Sequence, residues 1–222
     1  MLVRTKRIER SLGSHKRKEE TMAKPTFYHL SEEKRQQIID VCKKEFEQNP
    51  IGQAKVSSIV ETLGIARGSF YQYFEDIEEC YFTILKQETF ETHELFSQIL
   101  TRQPELFSAL ELYGQTLAEE LFKPERYALY RNRYLFWTPV LDEKWKIFCG
   151  KTKALEGVNF PQLNTERLNL DNPAFIPELI LYLKAIVHEL IRRLFVEKWT
   201  ADIFLKHYRL QMTWLKNGLC KN

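Results

Sequence analysis

The stretch GIARGSFYQYF, residues 64–74, decides how this chain folds. Just before it, Val56, Ile59, Val60 and Leu63 recur at i, i+3, i+4 and i+7, the spacing of one face of a short helix. Gly64 then stands where a left-handed residue closes a helix. Beyond the turn, Phe70 and Phe74 lie four apart and form the buried face of a helix of about two turns. Arg67, Gly68, Ser69, Tyr71 and Tyr73 are left on its other sides. Two short helices joined by a glycine-containing turn predict a helix-turn-helix, whose second helix lies in a DNA major groove.

Working outward, the periodicity stays helical. Ser31 is an N-cap residue, Glu32 and Glu33 suit the positive end of a helix dipole, and Ile38, Ile39, Cys42 and Phe46 form a stripe that stops at Asn49-Pro50. After Asp76 a long helix runs to about Leu100, with Tyr81, Ile84, Leu85, Leu95, Phe96 and Ile99 inward. Leu106, Leu110, Tyr113, Leu117 and Leu121 mark the next, and another covers residues 125–137. Thr138-Pro139 caps and opens a helix to about Gly157, before a loop over 158–172. Ile176, Ile180, Leu183, Val187, Leu190 and Leu194 form a seam that calls for a partner helix. Thr200 caps a last helix striped by Phe204, Tyr208, Met212 and Leu215 and ended by Gly218. The expected fold is all-α, with about nine helices and no strand.

Composition narrows the function. The 222 residues are 44% hydrophobic and 28% charged, a globular balance with room for one large domain or two smaller ones. No apolar run is long enough for a membrane span, and the charged start lacks the apolar core of a secretory signal, so a cytoplasmic location and no membrane partner are expected. Cys42, Cys80, Cys149 and Cys220 are widely spaced without a CxxC pair, the pattern of reduced packed thiols. His188 opens HELIR, which misses the zinc-protease HExxH at Arg192, a side chain that cannot ligate zinc. No metal or other cofactor is expected. No nucleophile, phosphate loop or metal cluster stands out, and an enzyme is not expected.

The charge is uneven. Residues 1–21 hold seven Lys or Arg against three Glu, a balance of +4; with +3 for the whole chain, the remainder carries 3 − 4 = −1. This basic leader, residues 1–24, has no hydrophobic period and reads as disordered. Lys18-Glu19-Glu20-Thr21 is encodable as a bacterial ribosome-binding site just ahead of Met22, which makes Met22 a candidate start.

Residues 31–81 resemble the DNA-binding domain of the TetR family of bacterial transcriptional repressors. The matching positions are Phe46, Ile59, Val60, Gly64, Ile65, Gly68, Ser69, Phe70, Tyr71, Tyr73 and Phe74. Beyond residue 100 the resemblance is one of helix number, length and total size. It implies a homodimer with three-helix heads over residues 25–77 and a ligand-binding and dimerisation domain over 78–222, joined to its twin through the last two helices. On this reading the interface holds Ile180, Leu183, Val187, Leu190, Leu194, Tyr208, Met212 and Leu215.

The resemblance also assigns roles. Arg67 starts the recognition helix, where its planar fork reaches base edges and can bind guanine bidentately. Gly68 lets the backbone approach DNA; a helical glycine otherwise costs about 1 kcal/mol. Ser69, Tyr71 and Tyr73 match positions that contact bases or phosphates. Lys55 stands where the family prefers a Thr or Ser cap and can reach a phosphate, and Ser57 stands where a base contact often lies. One position departs: three residues after Phe74 the family carries a phosphate-contacting lysine, and here stands Ile77, within an acidic run from Glu75 to Glu79. These carboxylates suit a helix N-terminus and are expected to face sideways or to tighten the contact footprint, leaving affinity to depend more on Arg67 and the tyrosines.

Residues 127–148 hold seven aromatics in 22 positions, against 13% for the chain. They predict either a bulky core or a pocket for a small apolar or aromatic ligand, lined by Tyr130, Tyr134 and Trp137. The expected function is a sequence-specific DNA-binding regulator, a repressor released by such a ligand from a double-stranded operator. The alternatives are a nucleoid-organising or division-associated DNA-binding protein on the same fold without a ligand, and a helical interaction module, which would leave the Arg67-Gly68-Ser69 face without a purpose.

Overall fold

The structure, a computed structural model, describes residues 23–151, 163–170 and 172–220. The leader over 1–22, with its candidate start at Met22, lies outside the described residues, as do residues 158–162 and 171 of the loop expected over 158–172. The described backbone forms ten α-helices and one 3-10 turn. Its only strand-like pairings are two isolated bridges, Glu105 with Asn164 and Leu168 with Cys220.

A helix that periodicity does not predict comes first, α1 (Pro25–Tyr28). Four residues are too few to show a period. The head continues with α2 (Glu32–Gln48), α3 (Val56–Leu63) and α4 (Arg67–Tyr73). The Ser31 side chain accepts from Lys34 N at 3.3 Å, capping α2. Gly64 closes α3 with φ 63° and ψ 34°, and Ile65 N bonds back to Val60 O at 3.1 Å, so the turn takes the left-handed form its sequence requires.

The body follows as α5 (Ile77–Arg102), α6 (Leu106–Leu121), α7 (Pro124–Phe136), α8 (Pro139–Lys151), the 3-10 turn Pro173–Phe175, α9 (Ile176–Val196) and α10 (Ala201–Leu219). Thr138 Oγ1 accepts from Leu141 N at 3.2 Å and Thr200 Oγ1 from Ile203 N at 3.4 Å, so both expected caps form. Gly218 lies inside α10 rather than beyond it, without positive φ; the helix ends one residue later, at Leu219.

Two apolar clusters organise the molecule. One joins Phe27, Ile38, Cys42, Phe46, Ile59, Phe70 and Phe74 of the head to Cys80, Tyr81, Phe82, Ile84 and Leu85 of α5 and to Leu129, Leu141 and Phe148 of α7 and α8. The other is built from α6, α9 and α10 with Ile99, Leu100 and Tyr130. Packing therefore does not break at residues 77/78: the first turns of α5 belong to the head's core.

In the body α6 and α10 approach tightly. The Tyr208 hydroxyl donates to Leu110 O at 2.8 Å, and a Cβ built on Gly114 would come within 2.3 Å of the Tyr208 ring. Only glycine at 114 admits that ring.

The same packing corrects the expected dimer interface. Leu183, Val187, Leu190, Leu194, Tyr208 and Met212 are all buried within one protomer, and Ile180 and Leu215 pack half-buried against the same cluster. The seam on α9 did call for a partner, but α7 and α10 of the same chain supply it. The outward faces carry other residues: Leu181, Tyr182 and Val196 on α9, and Ile203, Leu210 and Trp214 on α10.

Candidate DNA-recognition surface

Phe70 and Phe74, each 1% exposed, fasten α4 to the head. Their rings lie 5.4 Å apart, and Phe74 meets Phe27 of α1 at 5.1 Å. The helix thus buries one edge and turns Arg67, Gly68 and Tyr71 to solvent, with Ser69 half-buried. The Arg67 guanidinium lies 5.9 Å from the Tyr71 ring centroid, and its Nη2 donates to the Tyr71 hydroxyl at 3.3 Å. One turn of helix spacing lets the tyrosine hold the arginine outward, with a donor-rich fork at the exposed end. A Cβ built on Gly68 meets nothing within 4 Å, so no internal contact demands a glycine there.

Tyr73 departs from the expected arrangement. It is half-buried, its ring 6.1 Å from Phe27 and packed on the head cluster, so it belongs partly to the core.

Sequence reasoning missed Lys24 and Thr26, because it placed the first at the edge of the leader and gave no element to the second. The backbone N–H of Lys24 donates to Tyr73 O at 2.9 Å and its Nζ to Tyr71 O at 2.8 Å, while Thr26 Oγ1 donates to Gln72 O. Three successive carbonyls at the end of α4 are thereby satisfied from α1 and the residue before it. The recognition helix is held at its C-terminal end as well as along its buried edge.

On α3, Lys55 and Ser57 are both exposed. Lys55 occupies the N-cap without a side-chain cap bond. Its backbone N–H is instead received by Glu45 of α2 at 2.9 Å, a carboxylate that also accepts from Asn49 Nδ2 at 3.2 Å. Glu45 thus fixes the backbone at the start of α3 without capping its first free N–H groups, and the lysine side chain stays at the surface.

The acidic run is accounted for locally. Asp76 caps α5 by accepting from Glu79 N at 2.7 Å, the Glu79 carboxylate accepts from Glu75 N, and Glu78 pairs with Lys144 of α8. Burial pushes the Glu79 carboxyl above the usual range. Ile77 is half-buried against the head cluster, so an apolar side chain is used for packing where the resemblance implied a phosphate contact. Only Glu75 of the four carboxylates is left without a capping or pairing role among these contacts.

The aromatic stretch of the body is divided between the two clusters. Tyr130 and Tyr134 stack at 6.4 Å in the α6–α9–α10 cluster, whereas Trp137 packs 6.3 Å from Phe82 in the cluster of the head. Arg133 spans them, its guanidinium 5.6 Å from the Tyr134 ring and 5.5 Å from Trp137.

A buried amide also ties the head to the body. Asn132 of α7, 4% exposed, donates from Nδ2 to Phe46 O at 2.9 Å and Glu47 O at 3.1 Å, the last carbonyls of α2. The helix that carries Tyr130, Arg133 and Tyr134 into the body is thus bonded to the head.

Two family profiles match. Residues 38–84 match "Bacterial regulatory proteins, tetR family", the segment that carries α3 and α4. Residues 106–218, just over half of the chain, match "Tetracyclin repressor, C-terminal domain". The chain belongs to the TetR family.

Among solved structures, this TetR-family protein is similar in fold to one from Mesorhizobium loti MAFF303099 assigned to the same family, with a TM-score of 0.54 at 13% identity, covering 85% of this chain and 98% of that one. A TetR family transcriptional regulator from Chloroflexus aurantiacus J-10-fl is 23% identical over 91% of this chain and 100% of that chain, with a TM-score of 0.47. Comparison with curated proteins gave no match. As a member of this family the protein is a DNA-binding transcriptional regulator, with a helix-turn-helix head and a C-terminal helical domain. Among the described residues no helix is long and apolar enough to cross a membrane.

Proposed function

We propose that this regulator is a homodimeric repressor, released from its operator when a small molecule enters the C-terminal domain. The observation that carries the reading is the edge of α4: Arg67 and Gly68 stand exposed, one braced by Tyr71 and the other in open space, on a helix fixed at both its buried edge and its C-terminal end. Arg67 reads a guanine, Gly68 admits the DNA backbone, and Ser69, Tyr71, Lys55 and Ser57 contribute phosphate or base contacts. Residues 25–77 serve as the head and residues 78–222 as the ligand and dimer domain.

Dimerisation uses the outward faces of the last two helices. On α10, Ile203, Leu210 and Trp214 recur at seven and four residues and so share one face, with Trp214 63% exposed. Leu181, Tyr182 and Val196 are the exposed apolar residues of α9.

Release requires a ligand that favours a head spacing other than the one DNA selects. Two recognition helices must meet half-sites about 34 Å apart or a multiple of it, so a small tilt of either head lowers affinity. The bond from Asn132 to the end of α2 supplies the link: a ligand beside Tyr130 and Tyr134 that shifts α7 moves α2 with it.

Binding of the purified protein to DNA from upstream of its own coding region tests the reading. Arg67→Ala is expected to lose about 1–3 kcal/mol of specific affinity and relax preference at one base pair. Unchanged sequence preference, with fold and dimer intact, would refute Arg67 as the reader.

A further inference from the structure

We propose that Gln72 is a second specificity-determining residue of the recognition helix, reading an adenine in the same half-site as the guanine bound by Arg67. The inference rests on α4 being the DNA-contacting helix and adds to it a residue and a base.

The side chains of α4 fall into two arcs. Phe70 and Phe74 are buried and Ser69 and Tyr73 half-buried, while Arg67, Gly68, Tyr71 and Gln72 are exposed. The exposed arc consists of two pairs at i, i+4 spacing, Arg67 with Tyr71 and Gly68 with Gln72. Side chains in a helix lean toward its N-terminus, over the preceding turn. Tyr71 does so, its hydroxyl accepting from Arg67 Nη2 at 3.3 Å, and that pair is closed. In the second pair the preceding turn presents Gly68, where even a Cβ would meet nothing within 4 Å.

The Gln72 amide therefore finds no partner within the head. Gln36 and Gln115, also exposed on helices, each donate to a carboxylate one turn away, Asp40 at 2.8 Å and Glu111 at 2.9 Å. The corresponding carboxylate for Gln72 is Asp76, which lies beyond the end of α4 and accepts from Glu79 N at 2.7 Å as the cap of α5. Among the described residues the Gln72 side chain has no hydrogen-bond partner, although its backbone carbonyl accepts from Thr26 Oγ1. The residue is held by its main chain and open at its amide.

The position of the amide and its chemistry select the base. One turn of helix rises about 5.4 Å, so an amide leaning back from Gln72 stands level with Gly68, in the N-terminal turn that meets base edges in this motif. A glutamine amide carries a donor and an acceptor side by side, the pattern that pairs with N6 and N7 of adenine, as the arginine fork pairs with O6 and N7 of guanine. Glycine at 68 leaves room for both the DNA and the amide.

Selection from a randomised duplex pool by the full-length protein, followed by sequencing, reads the preference at every position of the site. The native protein is expected to enrich an A·T pair and a G·C pair in each half-site. Gln72→Ala is expected to lower discrimination at the A·T pair about tenfold and to leave the G·C pair required, whereas Arg67→Ala does the reverse. Gln72→Glu, whose carboxylate only accepts, is expected to move the preference at that pair from adenine to cytosine, whose N4 donates. Circular dichroism confirms the fold of each variant; alanine and glutamate are both good helix formers. Weakening by Gln72→Ala that is equal across all sequences would mark a phosphate contact and overturn the proposal, as would an unchanged motif. The two assignments fail separately. A native protein that enriches no motif refutes sequence-specific recognition by α4 altogether, while loss of the G·C preference in Arg67→Ala beside an unchanged A·T preference in Gln72→Ala refutes Gln72 alone.

Discussion

Gly68→Ala separates what α4 needs for folding from what it needs for DNA. In a helix an alanine is more stable than a glycine by up to about 1 kcal/mol, because glycine loses more backbone entropy. Gly68 is the second residue of α4, helical and exposed, and a Cβ there meets nothing within 4 Å, so no clash cancels the gain. In a chain of 222 residues a gain of that size corresponds to a rise in Tm of about 2–4 °C. If Gly68 is glycine because the DNA backbone comes close to it, the same methyl group enters the interface. Losing one well-made contact there costs about 1.4 kcal/mol or more, a tenfold loss of operator affinity. Differential scanning calorimetry and fluorescence anisotropy with an operator duplex, at one fixed salt concentration, measure the two effects on the same preparation. Higher Tm with weaker binding is the expected pair. Unchanged or tighter operator binding would refute the assignment of Gly68 to the DNA contact.

Three further outcomes are expected. Asn132→Ala leaves the Phe46 and Glu47 carbonyls without their donor and is expected to destabilise the protein by about 1–3 kcal/mol in urea denaturation; full stability would show that the amide does not join head to body. Trp214→Glu places a charge in the exposed face of α10 and is expected to convert dimer to monomer by light scattering, whereas Leu190→Ala, at a fully buried site, is expected to lower stability by about 2–5 kcal/mol instead. In alkali, burial pushes the Tyr81 and Tyr134 phenols up to about 12, with Tyr113 and Tyr208 also raised. The folded state therefore keeps protons that the unfolded state releases near pH 10. Stability from these tyrosines is complete below pH 10 and falls as pH rises from 10 to 12, which denaturation at stepped pH would show.

The helices were legible because their signals are local. Ser31, Thr138 and Thr200 cap where hydroxyl side chains meet orphan N–H groups, and Gly64 adopts the one conformation that ends α3 so tightly. The buried edge of α4 followed from the spacing of Phe70 and Phe74, and with it the exposure of Arg67 and Gly68. What the chain did not spell out is which apolar stripe meets which. Leu183, Val187, Leu190 and Leu194 announce a partner helix, but a stripe looks the same whether its partner comes from the same chain or from a second copy.

Periodicity, capping and turn residues by themselves determined an all-helical chain with a helix-turn-helix near its start, since each depends on residues no more than about four positions apart. Tertiary structure alone decided three things. Lys24 and Thr26, 46 or more residues from their acceptors in sequence, hold the end of the recognition helix. Asn132 bonds to the end of α2 across 86 residues. Ile77, where the resemblance implied a lysine, packs half-buried against the head. These are long-range contacts, fixed by where helices cross, and no spacing along the chain encodes which side chain will stand at a crossing.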